Sequence, residues 1–198
     1  MHLMETLARI FGSETKVKMM KLFLFNEERV YSSKDVADRT KSDIGKVRRE
    51  TSVLEKIGII KKRILKGKHG YVLNLGFPYI KQLRSFLIDV EPLQPKEMVK
   101  KLGKSGSLKL VVTSGIFIQD SESRADLLVV GDNVKKAKLE NIIKNVEAEV
   151  GKELKYVFFS TDEFKYRVSM YDKLLRDILD YPHRVLLDKL GIIEDAGV

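Results

Sequence analysis

Residues 32–75 read SSKDVADRTKSDIGKVRRETSVLEKIGIIKKRILKGKHGYVLNL. Ser32-Ser33-Lys34-Asp35 offers an N-cap for a short helix through Val36 and Ala37 to about Arg39, because a serine or aspartate oxygen can accept from the open amides of a first turn. After a turn, Lys41-Ser42-Asp43 opens a longer helix. Its apolar positions Ile44, Val47, Thr51, Leu54 and Ile57 recur at three- and four-residue spacing until Gly58, the residue type that closes a helix in left-handed backbone without steric cost. Ile59–Leu65 and Tyr71–Leu75 then read as two strands around the turn Gly67-Lys68-His69-Gly70.

Upstream, Glu5 to Phe25 carries Leu7, Ile10, Phe11, Val17, Met20, Leu22, Phe23 and Leu24, interrupted by Gly12-Ser13. This predicts a short helix, a break with Ser13 as N-cap, and a second helix packed on the core. Downstream, Pro78 to Ile88 reads as a helix with Ile80, Leu83 and Leu87 on one side. That side has two outlets, the same face of a second chain or the helix's own domain. Pro92 and Pro95 mark a linker, since neither a helix interior nor a central strand accommodates them. The chain therefore divides into residues 1–90 and 91–198.

The second part alternates strands and helices. A short helix to about Leu102 precedes continuous apolar strands at Leu108–Thr113 and Ala125–Val130. A helix capped near Asp132 or Asn133 presents Leu139, Ile142, Val146 and Val150. A strand at Lys155–Ser160, helices near Thr161–Val168 and Tyr171–Asp180, and a strand at Arg184–Leu187 complete it. The overall class expected is α+β, with an α/β second domain.

Charge is distributed unevenly between the parts. Residues 1–90 hold 19 Lys and Arg against 10 Asp and Glu, and residues 91–198 hold 18 against 18. The formal net charge of +9 therefore sits wholly in the first part, as expected where one domain meets a polyanion and the other does not. With no cysteine and only His2, His69 and His183, the sequence offers no disulfide framework, thiolate metal site or cysteine nucleophile. No metal and no cofactor is expected. No apolar run approaches the roughly 18 residues of a membrane span, and the opening MHLMETLARIF lacks a leader pattern, so a cytoplasmic protein with no membrane partner is expected.

Helix, helix, turn, helix, hairpin is the order of a winged helix-turn-helix. At about 100° per residue, the face of the Ile44–Ile57 helix opposite its apolar stripe carries Ser42, Gly45, Lys46, Arg49 and Ser52, with Arg48 on the flank. Such a face suits the major groove, where Lys and Arg donate to guanine O6 and N7. Ser42, Lys46 and Arg49 are the expected base contacts. Lys61, Lys62, Arg63, Lys66, Lys68 and His69 populate the hairpin, where phosphate or minor-groove contact is the natural role. For each cation taken singly, a solvated surface charge is the competing role, and His69 is equally a turn residue.

The run from Phe11-Gly12-Ser13-Glu14-Thr15-Lys16-Val17-Lys18 through Leu54-Glu55-Lys56-Ile57-Gly58-Ile59-Ile60-Lys61 resembles winged-helix regulators of the ArsR and MarR kinds. The resemblance implies transcriptional control and a homodimer on double-stranded DNA. The cysteines through which many ArsR relatives sense metals are missing here.

Leu110-Val111-Val112-Thr113-Ser114-Gly115, followed by Ser123-Arg124-Ala125-Asp126-Leu127-Leu128-Val129-Val130, resembles the core of minimal nucleotidyltransferases. The resemblance implies a Gly-Ser turn for nucleotide phosphate, two aspartates one residue apart that hold divalent metals, and a third carboxylate on a later strand. Nucleotidyl transfer needs such cations to neutralise the attacking and leaving oxygens. Here Asp126 matches the second aspartate, Arg124 replaces the first, the turn reads Ser114-Gly115 in reverse order, and Leu154–Phe159 offers no carboxylate. A guanidinium repels the metal whose ligand it replaces.

A catalytically degenerate domain, a pseudoenzyme serving dimerisation or effector sensing, is the expectation. Ser114, Gly115, Arg124 and Asp126 form its candidate site for a nucleotide or other small effector, Arg124 suiting a phosphate without metal. Asp126 has a competing role as the cap of a neighbouring turn. The segments Thr161–Arg167 and Asp177–Asp188 also resemble the region C-terminal to the nucleotidyltransferase core in fusions with winged helices. Gly103-Lys104-Ser105 matches a phosphate-loop fragment, but Met98 stands where its upstream glycine belongs. Two further classes stay open. One is an active nucleotidyltransferase guided by a nucleic-acid-binding domain, with Asp120 or Glu122 as the missing ligand. The other is a toxin-antitoxin component.

Overall fold

The structure is a computed structural model that describes residues 3–65, 67–88, 94–120 and 122–192. It is an α+β chain that forms two compact units, residues 1–92 with 144–153 and residues 93–143 with 154–198. The expected division at residue 90 lies beside the first of these boundaries, whereas the excursion of 144–153 has no local signature in the sequence. Among the described residues no helix is long and apolar enough to cross a membrane.

In the first unit, α1 (Leu3–Phe11) leads to α2 (Glu14–Phe25), whose N-cap is Ser13, its hydroxyl accepting from the Lys16 amide at 3.2 Å. α2 is the centre of the unit. Val17, Met19, Met20, Leu22, Phe23 and Leu24 are all buried, so from Met19 onward the helix is apolar nearly all round, as a segment surrounded by its own domain must be. The exception is Lys21, 1% exposed, whose ammonium is pushed down to about 8 by burial and partly restored by the Glu149 carboxylate. Gly151 approaches the same turn of α2. A β-carbon there would lie 2.6 Å from the Lys21 carbonyl carbon, and the Gly151 carbonyl accepts from Asn26 Nδ2 at 3.0 Å.

α3 (Ser33–Thr40) starts in a capping box in which Ser32 and Asp35 satisfy each other's amides, and it ends on Lys41 in the left-handed region. α4 (Ile44–Ile57) is capped by Asp43, which accepts from the Lys46 amide at 3.0 Å, and is closed by Gly58 at φ 92°. Val47, Thr51 and Leu54 are its buried face, while Ile44 and Ile57, expected to share that stripe, are exposed at its two ends. The ends of a helix diverge from the neighbours that cover its middle.

β1 (Ile60–Leu65) and β2 (Lys68–Leu73) pair antiparallel from Ile60 with Leu73 to Leu65 with Lys68. The connection is thus shorter than the expected Gly67–Gly70 turn, and residues 68–70 belong to β2. Gly67, at φ 75°, supplies the positive backbone angle that such a tight hairpin needs. Tyr31 bridges to Tyr71 through two backbone hydrogen bonds, and a β-carbon on Gly70 would stand 2.7 Å from the Tyr31 carbonyl oxygen. α5 (Ile80–Ile88) turns Leu87 into the core of its own unit, with Ile80, Leu83 and Ile88 packed against it and partly buried.

In the second unit, α6 (Pro95–Gly103) precedes a four-stranded sheet of order β5-β4-β3-β6, built from β3 (Ser107–Thr113), β4 (Leu127–Asp132), β5 (Tyr156–Phe159) and β6 (Arg184–Asp188). β3 runs antiparallel to β4 and β6, and β4 runs parallel to β5. The parallel pair is joined by α7 (Lys136–Val150), since parallel neighbours require a crossover.

α7 buries Leu139, Ile143, Val146 and Val150, so Ile143 takes the place expected for Ile142. Asp132, expected near the cap of α7, instead ends β4 and accepts from the amide and hydroxyl of Thr161, contacts that hold its carboxyl below the usual range. α8 (Thr161–Ser169) and α9 (Lys173–Leu179) come next, and Phe164, Leu175 and Ile178 pack with Leu110, Val112, Leu128 and Val130 in one core.

Candidate nucleic-acid interface

The outward face of α4 is built by the burial of its opposite side. With Val47, Thr51 and Leu54 fixed inside, Gly45, Lys46, Arg48, Arg49 and Ser52 are all exposed. No side chain among the described residues forms an ion pair with Lys46, Arg48 or Arg49. These cations are therefore not consumed by internal electrostatics. Gly45 leaves the first turn of this face without a side chain, and a β-carbon there would touch only the capping Asp43 Oδ1 at 3.1 Å.

Ser42 departs from its expected place. Asp43 rather than Lys41 or Ser42 caps α4, so Ser42 precedes the helix, half-buried, with its hydroxyl donating to the Thr40 carbonyl at 3.3 Å. Aspartate prevails because its carboxylate reaches the open Lys46 amide and also meets the positive end of the helix.

The hairpin cations divide between two faces, because successive residues of a strand point to opposite sides. Lys61 and Arg63 line a hollow with Glu27, Glu28 and Leu75. Lys62 pairs with Glu55 of α4 at 2.9 Å, which raises its pKa through that hydrogen bond and charge. Arg63 also borders a second hollow with Ile64, His69 and Tyr71. His69 lies opposite Ile64 in the ladder. The backbone of Lys68 lies in β2, and Lys66 lies outside the described residues.

A cleft of about 710 Å³ lies between the start of α2 and α4. It joins Lys46 and Arg49 to three cations that helix-by-helix reading of the sequence did not connect with them, Lys16, Lys18 and Lys41. Lys16 is held in place by the Phe11 carbonyl at 3.2 Å and Glu50 at 3.4 Å, and Lys18 pairs with Glu14 at 2.6 Å. Their position one turn beyond the Ser13 cap is legible in the sequence. That α4 passes beside this turn depends on tertiary packing.

The second candidate site is the loop between β3 and β4. There Ser114, Gly115 and Asp126 come together and Arg124 stays apart. Asp126, 9% exposed, accepts from the Ile116 amide at Oδ1 (2.9 Å) and from the Lys155 amide at Oδ2 (2.8 Å). Its carboxylate thus ties the single 3-10 turn Gly115–Phe117 to the chain entering β5. The Ser114 hydroxyl is buried and donates to the Ala125 carbonyl. Arg124, 67% exposed at the side chain, lies beside Asp177 with Nε 3.5 Å from Oδ2. Ser114 and Asp126 are thus bound within this region, while Glu122 and Arg124 of the loop are exposed.

No protein-family model matches the chain, and comparison with curated proteins and with solved structures found no match.

Proposed function

We propose that this chain is a DNA-binding transcriptional regulator that reads the major groove through α4. The observation that carries this reading is the outward face of α4, where Lys46, Arg48 and Arg49 are exposed and without ion pairs among the described residues, while the opposite face is locked into the core. The order α2, α3, α4 and the β1–β2 hairpin supports reading the unit as a winged helix-turn-helix, and the resemblance of its sequence suggests the ArsR or MarR kind. In this reading Lys46 and Arg49 contact bases. The hairpin, through Lys61, Arg63 and His69, tracks the phosphate backbone or minor groove, and a homodimer binds two half-sites.

The second unit is proposed to be a nucleotidyltransferase-like domain without catalysis, serving dimerisation or effector sensing. The engagement of both Asp126 oxygens by backbone amides supports a structural rather than metal-holding role for that carboxylate. Within the candidate effector site, Arg124 is the residue best placed for an anionic ligand.

Selection of random duplex DNA on the full chain, at two salt concentrations, tests the proposal. Enrichment of a motif, two-fold symmetric for a dimer, is the expected result. Binding without a motif that fades steeply with salt would reduce the interaction to backbone contact and overturn the regulator reading.

A further inference from the structure

Among the described residues Val53 is the one apolar side chain larger than a methyl group that lines the cleft between α2 and α4, and it is 39% exposed. It stands one turn beyond Arg49 and two turns beyond Lys46, on the same flank of α4. Glu50, one turn before it on α4, is joined to Lys16 of α2 across the cleft, and Val53 beside that pair stays exposed. An exposed valine is a poor choice for helix stability, because its branched β-carbon restricts the side chain against the preceding turn. An alanine or lysine there would satisfy the helix better.

We propose that Val53 is a specificity-determining residue that packs on the C5-methyl group of a thymine. This rests on reading α4 as the helix that enters the major groove. A branched aliphatic side chain neither donates nor accepts a hydrogen bond. Of the groups that base pairs present in that groove, the thymine methyl is the apolar one. Four residues of helix rise by about 6 Å, close to two base-pair steps of about 3.4 Å, so the thymine lies within roughly two steps of the base read by Arg49.

The test uses the full chain and the duplex motif obtained by selection. Each thymine is replaced singly by deoxyuridine, which lacks the methyl group and keeps every hydrogen bond, and binding is measured at fixed salt for wild type and Val53→Ala. One thymine per half-site is expected to lose about fourfold in affinity for wild type on this replacement, equivalent to about 0.8 kcal/mol for one buried carbon. Val53→Ala is expected to bind both duplexes equally.

A flat deoxyuridine scan with wild type, on a motif that Arg49→Ala still relaxes, would overturn the role of Val53 and leave the α4 reading intact. A methyl effect that persists in Val53→Ala would assign the contact to another residue. Absence of any motif would overturn both readings together. A flat wild-type scan overturns the proposal even if Val53→Ala folds poorly, and Val53→Ser, expected to lose the methyl effect in the same way, then takes its place as the variant.

Discussion

A β-carbon placed on Gly115 would stand 2.2 Å from Oδ1 of Asp126. Gly115 also has φ 56°, a backbone angle that side-chain-bearing residues rarely adopt. The two residues thus form one device, in which the glycine makes room for the carboxylate and the carboxylate closes the turn. Gly115→Ala should destabilise the second unit by at least about 2 kcal/mol, through backbone strain and displacement of the carboxylate. Asp126→Asn should cost about as much as Asp126→Ala, because one asparagine oxygen cannot serve two amide donors on opposite sides. Denaturant unfolding of the three variants checks this. A fully stable Asp126→Asn protein would contradict the structural role.

Lys21 makes stability depend on pH in the alkaline range. Its folded pKa of about 8 lies below the usual 10.5, so between these values the unfolded chain binds more protons than the folded one. Stability should therefore rise as pH climbs from about 8 toward 10.5. Below 8 the full penalty of burying the charge is present. Lys21→Met should stabilise the protein at neutral pH by roughly 1–3 kcal/mol, since a shift of this size corresponds to about 3 kcal/mol before relaxation is allowed for. It should also flatten the alkaline rise. Thermal unfolding of both proteins from pH 7 to 10 measures the difference, and an unchanged slope would show that Lys21 is not its source.

Thr51 is 3% exposed on the core face of α4, and its hydroxyl is buried without a hydrogen-bond partner among the described residues. Thr51→Val keeps the shape and removes the unsatisfied oxygen. An increase in stability of about 1 kcal/mol is expected. The substitution faces away from Lys46 and Arg49, so DNA affinity should stay within experimental error. Denaturant midpoints and binding isotherms measured side by side test both statements.

The cations of α4 and those of the hairpin should fail differently when removed. Lys46→Ala or Arg49→Ala should each relax preference at one position of the motif, by about 1–3 kcal/mol of discrimination. Lys61→Ala or Arg63→Ala should weaken binding to all sequences alike and lower the salt dependence by about one released counterion. Lys62→Ala should do less, because Lys62 already neutralises Glu55. Titrations of each variant against cognate and scrambled duplexes at several salt concentrations distinguish the two patterns. Equal loss on both duplexes for Arg49→Ala would remove it from the base-reading set.

Helix starts were legible in the sequence wherever a cap carries a local chemical signal. Ser13, the Ser32–Asp35 box and Gly58 act through neighbours within four residues, so the segment alone specifies them. The buried stripe Val47, Thr51 and Leu54 comes from helical periodicity in the same way, and with it the exposure of Lys46 and Arg49. The antiparallel and parallel pairings of the second sheet, by contrast, join residues far apart in the chain.

Local rules failed where two signals competed or where the partner is remote. Ser42, expected on the outward face of α4, precedes the helix that Asp43 caps, and the hairpin closed more tightly than a Gly67–Gly70 turn. Asp126 lies just before β4 rather than on the strand where its motif places it, and its structural role comes from the amides of Ile116 and Lys155, the latter 29 residues away. Lys21 carries no local mark of burial in the sequence, and Gly151, remote in the chain, packs against its backbone. Caps, periodicity and the one-sided charge are properties of neighbouring residues, and chain order was enough to set them. Which charges are buried, paired or left facing outward was settled by tertiary packing, because desolvation and Coulomb energies depend on distances that chain order does not set.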